Sequence, residues 1–103
     1  MRYVVAWRER PTDSDAEFDA ARERVLEAFS TVEKPESLTI HHFVARVGLG
    51  GYAVVETDEP ADLQYLVAVY APVAFTVEPV VAVADAVAIE TRGIDRRRLV
   101  HLN

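Results

Sequence analysis

Residues Ser37–Asp58, SLTIHHFVARVGLGGYAVVETD, read as two β-strands joined by a glycine-rich turn. Gly48, Gly50 and Gly51 bracket Leu49 where the chain must reverse, since glycine adopts positive φ at little cost. His41 and His42 lie together on the first strand. Side chains alternate along a regular strand, so the two imidazoles are expected on opposite faces of the sheet, one of them toward a covered interior. On the second strand, Tyr52, Val54 and Glu56 share one face and Ala53, Val55 and Thr57 the other. Glu56 is the odd member, an acid in line with two apolar residues. The glycines sit between two strands rather than between a strand and a helix, which is not the setting of a phosphate loop.

Upstream, Arg2 to Arg8 (RYVVAWR) is rich in valine and aromatics and reads as another strand, apolar on both faces, with Pro11 to end it. Ser14 followed three residues later by Glu17 has the form of a capping box, with Asp13 and Asp15 at the positive end of the helix dipole. Phe18, Ala21, Val25, Phe29 and Val32 then form one apolar stripe, while Glu17, Arg24 and Glu27 lie away from it. Lys34 and Pro35 are expected to close this amphipathic helix. Downstream, Asp58-Glu59-Pro60 reads as a second helix start with an acidic cap. Leu63, Leu66 or Val67, and Tyr70 give its buried stripe, and Pro72 its stop. Val73 to Val83 is expected as a fourth strand, with Pro79 marking an edge or a bulge. A weak helical stretch and a polar tail from Arg92 to Asn103 follow, the tail expected to be partly mobile or to lie across a partner subunit.

The order β-α-β-β-α-β on so short a chain fits an α+β fold of the split βαβ, ferredoxin-like type. Its four-stranded antiparallel sheet carries both helices on one face. Residues 1–91 are read as one domain and 92–103 as a C-terminal tail. The strands are apolar on both sides, so the uncovered face implies a partner, most simply a second copy of the chain.

At 103 residues, half of them hydrophobic, the chain is one domain's worth with a real core. The absence of cysteine excludes disulfides, thiolate metal ligands and thiol nucleophiles, and suits a reducing cytoplasm. The amino-terminal apolar run is too short and too quickly charged for a signal peptide or a membrane span. A net charge of −6 opposes docking on nucleic acid or an anionic bilayer, the one basic cluster being Arg96-Arg97-Arg98. The expected protein is cytoplasmic, with no nucleic-acid or membrane partner. Adjacent histidines on a regular strand cannot share one ion, and there is no HxH or HxxxH spacing, so no metal is expected. No histidine lies on the two expected helices to hold a haem, and no Ser-His-Asp or nucleophile-elbow signature is present. No cofactor is expected.

Several segments together resemble a known family. They are YVVAWRERP near the start, Thr39-Ile40-His41-His42-Phe43-Val44, Gly51 to Asp58 with Pro60-Ala61-Asp62-Leu63 after it, and Ala71-Pro72 with Phe75 and Glu78-Pro79-Val80. From Arg2 to about Val87 the chain resembles the small bacterial family called domain of unknown function 3303. His41 and Phe43 fall on that family's matching strand positions, and His42 where the family varies. The family is similar in its expected fold to the dimeric α+β barrels, in which two such sheets pack face to face. That wider group includes cofactor-independent oxygenases, lactone isomerases, aldol-type polyketide cyclases and haem-degrading enzymes. The resemblance implies a fold and a homodimer but no reaction, because function lives in the site.

A pocket between sheet and helices would be lined by alternate strand residues and inner helix residues. If His41 and Phe43 share a face, they are placed to meet Trp7, Glu56 or Phe75. His41 is the candidate general base, able to remove an acidic proton next to a carbonyl. Trp7, Phe43, Glu56, Tyr65, Tyr70 and Phe75 are the candidate substrate-binding residues, with at most one of the two tyrosines lining the pocket. Glu56 has a plainer reading, as the partner of an arginine such as Arg46. Two functions follow. One is an enzyme acting without metal or nucleotide on an apolar or aromatic, polyketide-like substrate, of cyclase, isomerase or cofactor-independent oxygenase type. The other is a non-catalytic ligand-binding or accessory homodimer whose histidines are structural.

Overall fold

The computed structural model describes residues 1–10, 13–31, 33–70 and 73–102. Pro11, Val32 and Pro72, expected as strand end, stripe residue and helix stop, lie outside the described residues, as do Ala71 and Asn103. Four strands, β1 (Arg2–Glu9), β2 (Thr39–Ala45), β3 (Gly51–Glu56) and β4 (Val73–Val80), alternate with α1 (Asp15–Ser30) and α2 (Pro60–Val69), and α3 (Val83–Leu102) follows. The sheet order is β2-β3-β1-β4, and every neighbouring pair is antiparallel.

The odd residues of β1 set the covered face. Val5 and Trp7 are buried there with Ala53 and Val55 of β3 and Val73 of β4, against Val25 of α1, Leu66 of α2 and Tyr70 at the C-terminal cap of α2. Leu38, just before β2, is fully buried, and burying a side chain of that size contributes about 1.5–3 kcal/mol. The even residues Arg2, Val4, Ala6 and Arg8 face the other way, opposite Glu56, Val54 and Tyr52 on one side and Val80, Glu78, Thr76 and Ala74 on the other. Among the described residues, no helix lays a buried side chain on that face.

α1 starts where its cap predicts. Ser14 Oγ accepts from the Glu17 amide at 3.1 Å, and Glu17 reaches back to the Asp13 amide at 3.0 Å, one residue earlier than in the usual box. The helix ends at Ser30, short of Lys34-Pro35. An ion pair from Arg22 to Glu9 ties it to β1. At α2 the acidic cap is absent: Glu59 occupies the cap position without a side-chain bond, and Pro60 opens the helix. Thr57 Oγ1 takes over, accepting from the Glu59 amide at 3.0 Å and donating to the buried Asp62 carboxylate at 2.6 Å. Ser37 donates to the same carboxylate at 2.7 Å. The Ser37 bond, then the Thr57 bond, hold the Asp62 carboxyl below the usual aspartate range.

β4 stops at Val80 rather than Val83. It is an edge strand, which suits Pro79, since an edge tolerates a missing N–H. The weak helix and polar tail expected after Asp85 are instead one continuous 20-residue helix, unbroken across residues 91 and 92.

Candidate functional site

The turn of the hairpin behaves as its glycines predict at two positions: Gly48 and Gly50 have φ of 113° and 83°. Gly51 is needed for a different reason. It lies opposite Trp7, and a Cβ there would run into the indole ring and the Val44 carbonyl. The bare backbone lets the ring lie across the strand.

The two histidines depart from simple alternation. β2 pairs with β3 as far as Ile40, opposite Val55, but the next residue opposite Val54 is His42. His41 is thus the extra residue of a β-bulge, which leaves two consecutive side chains on the same side of the sheet. His42 stands on the open face opposite Val54, and His41 reaches Glu56, itself opposite Arg2 on that face. Neither imidazole enters the covered interior. The expectation of opposite faces fails because it assumed an unbroken pleat.

His41 Nε2 lies 2.8 Å from Glu56 Oε1, and Arg2 Nε donates to the same oxygen at 3.2 Å. The arginine at Glu56 is therefore Arg2, not Arg46. The hydrogen bond to His41 and then that to Arg2 hold the Glu56 carboxyl below the usual glutamate range. A carboxylate that fixes an imidazole is the usual support of a general base. Here the group is solvent-exposed at the end of the sheet.

Phe43 resumes the inward phase after the bulge, opposite Ala53. Its ring meets Trp7 at 5.2 Å and 90° and Phe29 at 5.2 Å and 78°, while Phe29 also meets Trp7 at 5.1 Å and Tyr70 at 5.1 Å. Edge-to-face contacts of this kind add about 0.5–1.5 kcal/mol each beyond burial. Around this cluster is a wholly apolar cleft of about 40 Å³, which Phe75, Ile40 and Leu66 help to line. Phe43, 37% exposed, is the most exposed of its walls.

Of the expected site residues, Trp7, Phe43, Tyr70 and Phe75 come together here. His41 and Glu56 meet each other on the opposite face. Tyr65 joins neither group: its hydroxyl donates to Glu33 Oε1 at 2.9 Å on the surface, and that bond raises its phenol above the ordinary value. Tyr70 is the single helix tyrosine in the cleft, its hydroxyl accepting from the Glu33 amide at 3.3 Å. Phe29 is legible in the sequence only as part of a helical stripe, and Arg2 only as a strand-end charge; both acquire their roles from cross-strand or cross-layer neighbours.

Among the described residues, no group of three or more His, Asp or Glu is placed to hold a metal ion, and no helix is long and apolar enough to cross a membrane. Among curated proteins, none matches the chain. The resemblance carried by the strand and turn motifs is matched by a family model that runs from residue 1 into α3, ending at residue 94. The chain belongs to the family described as Domain of unknown function (DUF3303).

Proposed function

We propose that the protein is a cytoplasmic homodimer that holds a small apolar or aromatic molecule without transforming it. Two copies close their open sheet faces on each other, giving a dimeric α+β barrel of ferredoxin-like order. Support for the dimer comes from the open face itself, where Val4, Ala6, Val44, Tyr52 and Val54 sit among a few charges with no described helix of their own chain buried over them.

The observation that carries the binding reading is the separation of the chemistry from the cleft. The cleft is walled by aromatic and aliphatic carbon, and the acid–base pair His41–Glu56 lies across the sheet from it. A space of about 40 Å³ takes guests of water size as it stands. A ring-sized guest enters by swinging Phe43 outward. Trp7, the only tryptophan of the chain, lines the cleft and reports on its contents. Titration of Trp7 fluorescence with a small aromatic such as indene should saturate, and His41→Ala should leave the curve unchanged. A signal that stays linear up to the solubility limit overturns the binding reading.

One observation favours an enzyme instead: the 2.8 Å bond that orients His41 on Glu56. In that reading the substrate lies on the open face, and His41 is the base of a cofactor-independent cyclase, isomerase or oxygenase. Turnover of an aromatic or polyketide-like substrate that disappears in His41→Ala while the fold persists would establish it in place of the first.

A further inference from the structure

α3 stands apart from the body. A compact chain of this length has a radius of gyration of ~13 Å, yet the value here is 18.8 Å, with a longest extent of 66 Å. Among the described residues of α3, none is buried, and no hydrogen bond or ion pair links it to the sheet or to the other helices. A helix in a protein draws most of its stability from packing, and this one has Gly93 at its middle and β-branched Val83, Val87, Ile89, Thr91 and Ile94 along it to weaken it when unpacked. Something outside the chain must cover it.

Its charges say what. The first half carries Asp85 and Glu90 against Arg92 at its very end, whereas the second carries Arg96, Arg97 and Arg98 against Asp95 alone. A helix with opposite charge at its two ends is complementary to itself when turned antiparallel. At 3.6 residues per turn, Ala86, Glu90, Gly93, Ile94, Arg97 and His101 share one side. Ile94, Arg97 and His101 already border one shallow groove, and the Arg97 guanidinium lies 3.9 Å from where a Gly93 Cβ would be.

The geometry points to a second copy of this chain as the occupant, α3 pairing antiparallel with α3 about a two-fold axis between Gly93 and Ile94. That single register sets Glu90 against the partner copy's arginine 97, Gly93 against isoleucine 94 and Ala86 against histidine 101, each twice, as an isologous contact requires. The missing side chain at Gly93 makes room for the isoleucine. The acidic remainder of the chain makes a nucleic acid a poor competitor for the same arginines. This interface is separate from the sheet-face contact and does not depend on it.

The chain has no cysteine, so a single introduced one reports the pairing directly. Ile94→Cys, beside the axis, should oxidise to a covalent dimer in the full-length protein, and Arg92→Cys, on the far side of the helix, should not. Adding Arg97→Glu to Ile94→Cys should lower the cross-linked yield about tenfold, and adding Glu90→Arg to that should restore it. Equal cross-linking at 92 and 94, no cross-linking at 94, or no rescue by the charge swap overturns the pairing. Solution mass separates the two interfaces. If Val54→Asp added to Arg97→Glu leaves the mass at that of Arg97→Glu alone while the Ile94→Cys variant still cross-links, the sheet-face dimer falls and the α3 pairing stands.

Discussion

The two faces of the sheet are made from the same four strands and have opposite chemistry. The helix-covered face collects Trp7, Phe29, Phe43, Tyr70 and Phe75, with the Glu9–Arg22 ion pair at its margin, whereas the open face sets Arg2, His41, His42 and Glu56 beside valines and an alanine. The difference separates two jobs that a reading of the sequence merges into one pocket. Aromatic packing holds the layers together on one side, and the ionisable groups on the other are free to meet solvent, a substrate or another copy of the chain.

If that division is correct, the largest effect belongs to the covered face. Trp7→Ala, which removes the centre of the aromatic cluster, should destabilise the fold by about 3–5 kcal/mol in urea unfolding followed by circular dichroism; a loss under about 1 kcal/mol would mean that the cluster is loosely packed. On the open face, Val54→Asp added to Arg97→Glu, which removes the α3 pairing, should leave the unfolding transition close to that of Arg97→Glu alone yet halve the solution mass, because its damage is confined to the sheet-face contact. Both properties falling together would erase the distinction between the faces. At the junction of β3 and α2, Asp62→Ala should lower Tm by about 5 °C, since it leaves the Ser37 and Thr57 hydroxyls without their acceptor. Asp62→Asn should recover part of that loss.

The smallest effect is that of pH at Glu56. Its folded-state carboxyl titrates below the unfolded one, so its contribution to stability is complete above the ordinary glutamate value and is lost as pH falls through the lower, folded value. Glu56→Gln should therefore lower stability slightly through the neutral region, where the contribution is complete, and converge with wild type below about pH 4.5, leaving a flatter acid limb. Identical acid limbs would show that the His41 and Arg2 contacts exert no hold on the carboxyl in solution.

Much of the architecture can be read locally. Ser14 and Glu17 announce α1, Pro60 announces α2, and the glycines between Arg46 and Tyr52 announce the reversal, because caps and turns depend on residues only a few positions apart. The bulge at His41 is not legible: TIHHFV alternates as well with an extra residue as without, and only pairing against β3 reveals the two-to-one count. The arginine at Glu56 escapes for the same reason, Arg2 being adjacent through the β1–β3 ladder and distant along the chain. The tail reads as irregular because Gly93 interrupts it and its run of charges shows no clear apolar stripe, although arginine itself favours a helix.

The bulge also has a meaning in the language of insertions and deletions. Ile40 and His42 face consecutive residues of β3, so His41 is supernumerary to the ladder, an insertion that the sheet absorbs in place. Deleting it, which leaves the same sequence as deleting His42, would join Ile40 to the remaining histidine in regular register and keep Phe43 inward. The length of the strand is free to change at the paired histidines, where the sheet already carries one residue more than its ladder needs.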